Sequence, residues 1–148
     1  YAKSFNHLAK IECEDTALII LKFKNGKTGL MEATTAMRPF NVEGSFSLMG
    51  TKGSAKVGGF ALNEIIYSNL RKKSNNDKYK TSPKNVYGYG HIEFYKHIEN
   101  VMLKNKKSEF ECTEAIKTVE LINAIYKSIE TNKEVYLNKN FMSKKLGN

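Results

Sequence analysis

The hydrophobic pattern of this 148-residue chain changes its period at residues 85–95, which read Asn-Val-Tyr-Gly-Tyr-Gly-His-Ile-Glu-Phe-Tyr. Most segments before this stretch alternate with the period of two that is typical of β-strands, whereas the segments after it repeat every three to four residues, as α-helices do. The stretch therefore joins a predicted sheet to the helices that cover it. Its glycines, tyrosines and histidine also make it a candidate ligand site.

The first part of the chain predicts antiparallel strands joined by tight turns. Asn25-Gly26 fits a two-residue type I′ turn, because both residues tolerate positive φ. Arg38-Pro39 ends a strand, and Gly58-Gly59 predicts a bulge or a sharp corner. The predicted strands are residues 1–8, 16–23, 27–37, 44–49, 54–57 and 60–70, with a turn at 50–53.

The strand over residues 16–23 is apolar on both faces. Ala17, Ile19 and Leu21 point to one side, and Leu18 and Ile20 point to the other. A sheet that is wetted on one side carries polar residues on that side. We therefore expect both faces to be covered, one of them by a second subunit or by another domain.

Two helices follow the junction. Phe94, Ile98 and Val101 lie on one helical face, and lysines around 104–107 suit the end of that helix. Thr113 is a plausible N-cap for a second helix over residues 114–131, whose apolar residues cover more than half of its circumference. Residues 134–137 predict a short final strand, and residues 138–148 predict a loose tail.

These segments predict an α+β domain over residues 1–137, with a large, predominantly antiparallel sheet, helices on one face and the other face available for oligomerisation. The net charge of +9 and the pI near 9.4 invite a nucleic-acid interpretation. However, the lysines are scattered, and the only arginines are Arg38 and Arg71. We therefore expect no nucleic-acid partner.

The remaining composition favours a cytoplasmic protein without metal or membrane contact. Cys13 and Cys112 are about a hundred residues apart and have no second ligand at zinc spacing, so we expect reduced thiols. His91 and His97 are six residues apart, a spacing that puts them on different sides of a helix. No run of eighteen apolar residues and no signal-peptide pattern appears in the sequence.

Two glycine-rich motifs fail the requirements of nucleotide loops. Gly88-Tyr89-Gly90 begins like a dinucleotide fingerprint, but Glu93 stands where the third glycine belongs, and a polar loop precedes it. Residues 50–54 lack the phosphate-loop spacing and favour a hairpin turn.

Three features remain candidates for ligand binding, each beside an ordinary structural explanation. His91 can face an anion at the start of a helix, or it can be a surface or capping residue. Arg38 can clamp a phosphate or carboxylate, or it can pair with Glu43. The basic loop 71–84 can attract an anionic substrate, or it can simply be solvated. No complete active site can be assembled.

A series of short motifs resembles the C-terminal half of the Gfo/Idh/MocA family of sugar oxidoreductases. Each motif alone is weak evidence for the family, but their order and spacing together are specific. The motifs cover nearly the whole chain. They are Glu14-Asp15-Thr16-Ala17, residues 23–29, Glu32-Ala33-Thr34-Thr35, Glu43-Gly44-Ser45, residues 49–53, residues 85–91, residues 120–128 and residues 133–137. Residues 32–39 and 85–91 are most similar to the branch that oxidises UDP-linked N-acetylated hexuronic acids.

The resemblance implies an N-terminal Rossmann domain that binds NAD or NADP, with a catalytic lysine near its end, and an Asp/His pair early in the second domain, all ahead of Tyr1. This chain would then hold no catalytic residue and no cofactor by itself. It would provide one wall of a sugar-substrate pocket and a homo-oligomer contact through the sheet. The predicted substrate-binding residues are Arg38, Asn41, Tyr87, Tyr89 and His91.

Two function classes remain open. Because residues 1–8 read as a strand already in progress, we expect the chain to be part of a longer dehydrogenase and inactive alone. The alternative is a complete, non-catalytic sugar-binding or scaffolding module.

Overall fold

A computed structural model describes residues 1–70, 80–138 and 141–145 of the chain. The chain divides into two compact units. Unit 1 comprises residues 1–36 and the described residues from 109 onward, and unit 2 comprises the described residues of 37–108. The predicted α+β class is confirmed. Where one large sheet was predicted, the described residues form two antiparallel sheets of three strands each.

The sheet of unit 1 has the order β1-β2-β3, with β1 at Ala2–Phe5, β2 at Thr16–Lys22 and β3 at Thr28–Thr34. Ala2 lies opposite Ile19, and Ile19 lies opposite Met31. All three strands were predicted, and the observed ones are shorter at their ends.

The turn between β2 and β3 differs from the predicted two-residue type I′ turn. The N–H of Gly26 donates to the carbonyl of Phe23 at 2.9 Å, and the N–H of Phe23 donates to the carbonyl of Lys27, also at 2.9 Å. Gly26 has φ +81, whereas Asn25 does not have a positive φ. The loop is therefore the three-residue form, in which only the glycine needs the left-handed region.

The two faces of this sheet differ in exposure. Ile19 is 3% exposed, and α2 (Cys112–Thr131) packs against β1. On the opposite face Ile20 is 56% exposed, and its cross-strand neighbour Leu30 is 79% exposed. Helix α2 therefore covers one of the two apolar faces, and the described residues leave the other exposed.

Helix α2 begins two residues earlier than predicted. Its N-cap is Glu111, and Thr113 lies inside the first turn, where its hydroxyl contacts the Glu111 carboxylate at 3.4 Å. The buried residues of α2 are Ala124 and Ser128. Burial on more than one side, which its apolar composition predicted, is therefore not observed among the residues that the structure describes.

Ser128 fastens α2 to the sheet. Its hydroxyl accepts the N–H of Ala2 at 2.9 Å and donates to the carbonyl of Lys133 at 2.7 Å. Two residues earlier on the helix, the hydroxyl of Tyr126 donates to the carboxylate of Glu14 at 2.5 Å, and this hydrogen bond raises the pKa of Tyr126 to about 12. The bonds to Ala2 and to Glu14 each join segments that are more than a hundred residues apart.

Asp15 organises the connection between β1 and β2. Its side chain is only 2% exposed and accepts the backbone N–H groups of His7, Leu8 and Ala9 at 2.7–3.1 Å. The Thr16 hydroxyl adds a fourth donor at 3.0 Å. These donors, those of Ala9 and Leu8 foremost, hold the pKa of the Asp15 carboxyl well below its usual value.

The segment after α2 differs from the sequence prediction in two ways. Residues 134–137 do not form the predicted strand, because no neighbouring strand among the described residues pairs with them. Residues 141–145 are held against α2 and are not loose. The Ser143 N–H donates to Asn123 at 2.7 Å, and the Ser143 hydroxyl donates to the Glu130 carboxylate.

Glu130 is the centre of this C-terminal contact. The same carboxylate accepts the N–H groups of Lys144 at 2.6 Å and Lys145 at 2.8 Å, and Lys127 lies 3.3 Å away. These donors, led by the Ser143 hydroxyl, lower the pKa of Glu130 from 4.5 to about 2. The contact therefore depends on an ionised carboxylate.

Acid should release residues 141–145 from α2. Because the pKa of Glu130 is lowered on folding, its contribution is complete above about pH 4.5 and is lost as the pH falls towards 2. We expect the amide protons of Lys144 and Lys145 to lose exchange protection over this range. In Glu130→Gln the loss should already be present at pH 7, and a pH-independent protection in both proteins would contradict the assignment.

Unit 2 contains the second sheet, with the order β4-β5-β6: β4 is Phe46–Gly50, β5 is Gly53–Gly58 and β6 is Glu64–Ser68. The hairpin predicted at residues 50–53 is confirmed, because Gly50 pairs with Gly53. An irregularity at Lys56/Val57 shifts the β5–β6 register, and Gly59 makes the predicted corner with φ +88.

Two segments lead from β6 to the junction and the first helix. Residues 71–79 of the predicted basic loop lie outside the described residues. The part that follows is anchored to the start of β6: Lys80 pairs with Glu64 at 3.1 Å, and the N–H of Thr81 donates to the carbonyl of Asn63 at 3.0 Å. Helix α1 (Gly90–Lys104) then begins inside the predicted junction and has no buried residue.

Candidate functional site

The junction at residues 85–91 is a tight turn that leads directly into α1. The Asn85 amide oxygen accepts the N–H of Tyr87 at 3.1 Å, and the Asn85 carbonyl accepts the N–H of Gly88 at 3.2 Å. Gly88 has φ +61, a conformation that glycine adopts without steric cost. The turn therefore fixes the direction in which the flanking aromatic residues leave the backbone.

Tyr87 and His91 are brought together by this turn. Their ring centroids are 5.9 Å apart with an interplanar angle of 75°, which is the edge-to-face arrangement that aromatic rings favour. Tyr87 is 71% exposed, so most of its ring remains available to a ligand. His91 lies in the first turn of α1, next to backbone N–H groups that favour negative charge.

Tyr89 is the N-cap residue of α1, and no side chain caps this helix end. Its hydroxyl donates to the carbonyl of Ser82 at 3.4 Å, and its side chain is 51% exposed. All three predicted residues of the junction are exposed, and the rings of Tyr87 and His91 are in contact. We call the three residues together the junction surface (Tyr87, Tyr89 and His91).

Arg38 and Asn41 lie in one loop that precedes β4. The N–H of Val42 approaches the Met37 sulfur at 3.2 Å and so closes this loop. The Arg38 guanidinium donates to the carbonyl of Met37 at 2.8 Å, and Asn41 is exposed. Within the described part of the chain, no hydrogen bond joins Asn41 to the junction surface.

Glu43, the ion-pair partner that the sequence suggested for Arg38, contacts a lysine of β5. Glu43 pairs with Lys56 at 2.8 Å, and this contact, helped by Ser45, lowers the pKa of the Glu43 carboxyl. The ion pair therefore links Glu43 to strand β5, on which Lys56 lies.

The residues that shape the junction surface were only partly found from sequence. Asn85 and Ser82 support Tyr87 and Tyr89 but were not named as site residues. An asparagine two residues ahead of the N–H that it accepts is the signal that could have identified Asn85.

Chemically, the junction surface can stack on a ring and donate hydrogen bonds. It does not fit a nicotinamide dinucleotide, because Gly88 and Gly90 follow a loop rather than a strand. Among the described residues, no group of three or more His, Cys, Asp or Glu side chains is arranged to hold a metal ion. No helix in the described part of the chain is long and apolar enough to cross a membrane.

The fold and the junction agree with a known class of enzyme domain. Residues 1–137 match the family model of the C-terminal α/β domain of the Gfo/Idh/MocA oxidoreductases. The chain therefore belongs to this oxidoreductase family, as its C-terminal domain. A search of curated proteins found no match.

Two solved structures are similar to this chain. One is the WlbA dehydrogenase from Chromobacterium violaceum in complex with NADH and UDP-GlcNAcA, with 31% identity and a TM-score of 0.79 over 95% of this chain. The other is the WlbA dehydrogenase from Bordetella pertussis with the same two ligands, with 28% identity and a TM-score of 0.77 over 90% of this chain. The chain spans 40% of the length of each.

Proposed function

We propose that this chain is the substrate-binding and oligomerisation domain of an NAD(P)-dependent dehydrogenase that acts on a nucleotide-linked N-acetylated hexuronic acid. The observation that carries the proposal is the similarity, over 95% of this chain, to a WlbA dehydrogenase bound to NADH and UDP-GlcNAcA. An N-terminal domain would hold the cofactor, because residues 1–137 match only the C-terminal domain of the family. Hydride would pass from a sugar carbon to the nicotinamide, and a lysine or histidine outside this chain would take the hydroxyl proton.

The junction surface and the Arg38 loop suit such a substrate. Exposed tyrosine rings can pack against the apolar face of a sugar or stack on a base. A nucleotide-linked uronic acid carries phosphates and a carboxylate, which an arginine can bind in bidentate fashion. Arg38, Asn41, Tyr87, Tyr89 and His91 are accordingly the proposed substrate-binding residues.

The exposed face of the unit 1 sheet is the proposed contact between copies of the protein. Leu18, Ile20 and Leu30 form its apolar centre and are 40%, 56% and 79% exposed. Lys3 on β1 and Glu32 on β3 lie on either side of Leu18. A twofold axis that runs along β2 would bring each lysine towards the glutamate of the other copy, which is the self-complementarity that an isologous dimer requires.

The experiment uses the longer protein that carries this domain, with UDP-GlcNAcA and NAD or NADP as substrates and absorbance of the reduced cofactor as the readout. We expect turnover by the longer protein and none by residues 1–148 alone. Turnover by the 148-residue chain would overturn the location of the catalytic groups. Absence of turnover by the longer protein with every UDP-linked hexuronic acid tested would overturn the substrate class.

In the same assay, Arg38→Ala should raise the KM for the nucleotide sugar by roughly 10- to 100-fold, because a charge-assisted hydrogen bond is lost. The KM for the dinucleotide should not change. Lys52→Ala is the matched control, since Lys52 is also an exposed cation of unit 2 and lies in the turn between β4 and β5. An unchanged sugar KM in Arg38→Ala would remove Arg38 from the site.

A further inference from the structure

The segment that leads towards the junction is fastened by Asn63, the residue just ahead of β6. The carbonyl of Asn63 accepts the N–H of Thr81 at 3.0 Å, and the Asn63 amide nitrogen donates to the carbonyl of Thr81 at 2.8 Å. Both backbone groups of Thr81 are therefore bonded to one residue, as they would be to a partner in a β-ladder. Lys80 beside them is largely exposed, so its ion pair with Glu64 adds little.

The side-chain amide of Asn63 is itself held in one orientation. Its oxygen accepts the N–H of Ala61 at 3.2 Å and lies against Gly59, at the place that a Cβ on residue 59 would occupy. Because Ala61 offers a donor and the Thr81 carbonyl is an acceptor, the amide oxygen faces the first and the amide nitrogen faces the second. Asn63 thus joins the corner after β5 to the segment that leads to the junction.

This fastening extends to Tyr89, one of the proposed substrate-binding residues. The carbonyl of Ser82, the residue after Thr81, accepts the Tyr89 hydroxyl at 3.4 Å. Among the described residues, this is the one hydrogen bond of the Tyr89 side chain. Its length is at the limit for a hydrogen bond, so a small displacement of Ser82 breaks it. The position of the Tyr89 hydroxyl therefore depends on how firmly Thr81 is held.

We propose that Asn63 is a positioning residue for the substrate: it holds residues 81–82 so that Tyr89 keeps one direction before the nucleotide sugar binds. A side chain that is ordered in advance loses less conformational entropy on binding, which lowers the KM. The contact of Tyr89 with the sugar nucleotide rests on the proposed function. The control of Tyr89 by Asn63 does not, and the 148-residue chain tests it without substrate.

The first test is nuclear magnetic resonance of the 148-residue chain. Asn63→Asp keeps an oxygen for the Ala61 N–H but loses the donor to the Thr81 carbonyl. We expect it to remove the nuclear Overhauser contacts between the Tyr89 ring and Ser82, and to lower the exchange protection of the amide at position 81 on the order of tenfold. Thr81→Ala is the matched control, because it removes only the hydroxyl contact of 3.4 Å with Asn63 and should change neither readout.

Retained contacts between Tyr89 and Ser82 in Asn63→Asp, with the β5–β6 amides still protected, would overturn the proposal. If Asn63→Asp loses protection within β6 as well, Thr81→Pro takes its place. Proline at position 81 removes the N–H that Asn63 accepts and lies outside the sheet. Retained contacts in that variant would overturn the proposal equally.

The second test is a double-mutant cycle in the longer protein. Asn63→Asp should raise the KM for the nucleotide sugar about 5-fold and leave kcat and the KM for the dinucleotide unchanged. In a Tyr89→Phe background, which lacks the hydroxyl, the same change should raise the KM no further. An equal rise in both backgrounds, or a fall of kcat alone, would overturn the proposal. Absence of turnover in the longer protein would count against the proposed function, and the contacts of Tyr89 in the 148-residue chain would then decide the role of Asn63.

Discussion

Replacing Asp15 by alanine will lower the melting temperature of unit 1 by at least about 5 °C, which is the shift that corresponds to the loss of one buried interaction in a small domain. The physical reason is the set of backbone N–H groups that the carboxylate accepts, those of His7, Leu8 and Ala9. Without the carboxylate these donors turn inward without partners. Thermal unfolding followed by far-ultraviolet circular dichroism measures the change.

Glu12→Ala is the control, because Glu12 is an exposed acid in the same connection. Its melting temperature should match that of the unchanged chain. The difference between Asp15→Ala and the unchanged chain should also depend on pH. The pKa of Asp15 is lowered on folding, so its stabilisation is present above about pH 4 and diminishes as the pH falls further. A difference that stays constant down to pH 2 would contradict this role.

Ile20→Lys is expected to abolish self-association of the chain at micromolar concentration. Ile20 lies at the centre of the exposed sheet face, directly opposite Leu30. A lysine there would have to be buried without a partner in the proposed dimer, and an unpaired buried charge is among the most costly changes at an interface. Sedimentation velocity of the 148-residue chain gives the oligomeric state directly.

Met142→Lys is the matched control for that experiment. Met142 is 76% exposed in unit 1 and lies outside the sheet, so the same change of charge should leave the oligomeric state unaltered. A monomeric unchanged chain, or an Ile20→Lys variant that associates as the unchanged chain does, would rule out this face as the contact.

Local sequence signals predicted most of the secondary structure because they act over a few residues. The apolar run of residues 16–23 and the alternation in residues 44–57 located three strands, and the change of period at the junction placed the start of α1 inside residues 85–95. The exceptions are also local. Asn25 favours a two-residue turn, but the observed bonds between Phe23, Gly26 and Lys27 close a three-residue loop, a choice that depends on where the two strands stop pairing.

Errors arose wherever the outcome depended on contacts distant in sequence. The alternation of residues 134–137 favours a strand, but a strand needs a neighbour, and the described residues supply none. Residues 141–145 carry no strong pattern, yet Glu130 and Asn123 hold them. Single-sequence periodicity also does not reveal whether β3 and β4 share a ladder, so it predicted one sheet where the described residues form two.

In the candidate site, too, local contacts could be predicted from the sequence and distant contacts could not. The closeness of Tyr87 and His91 could be predicted, because one turn separates them. The support that Ser82 gives to Tyr89 could not, since it depends on the path of the preceding loop. Arg38 was chosen as an arginine at a strand end and Asn41 through the family resemblance, and the role of both remains a prediction.

The contact at Glu130 bears on where this domain can be trimmed. Glu130 occupies the last turn of α2, where the helix dipole disfavours a negative charge. The N–H groups of Lys144 and Lys145 supply positive partial charge at that position. The family match ends at residue 137. A protein cut there would keep the Glu130 carboxylate at the end of α2 and lose the N–H groups of Lys144 and Lys145 that bind it. A boundary drawn from homology alone would therefore expose the C-terminal end of α2 to fraying, even though every matched residue is retained.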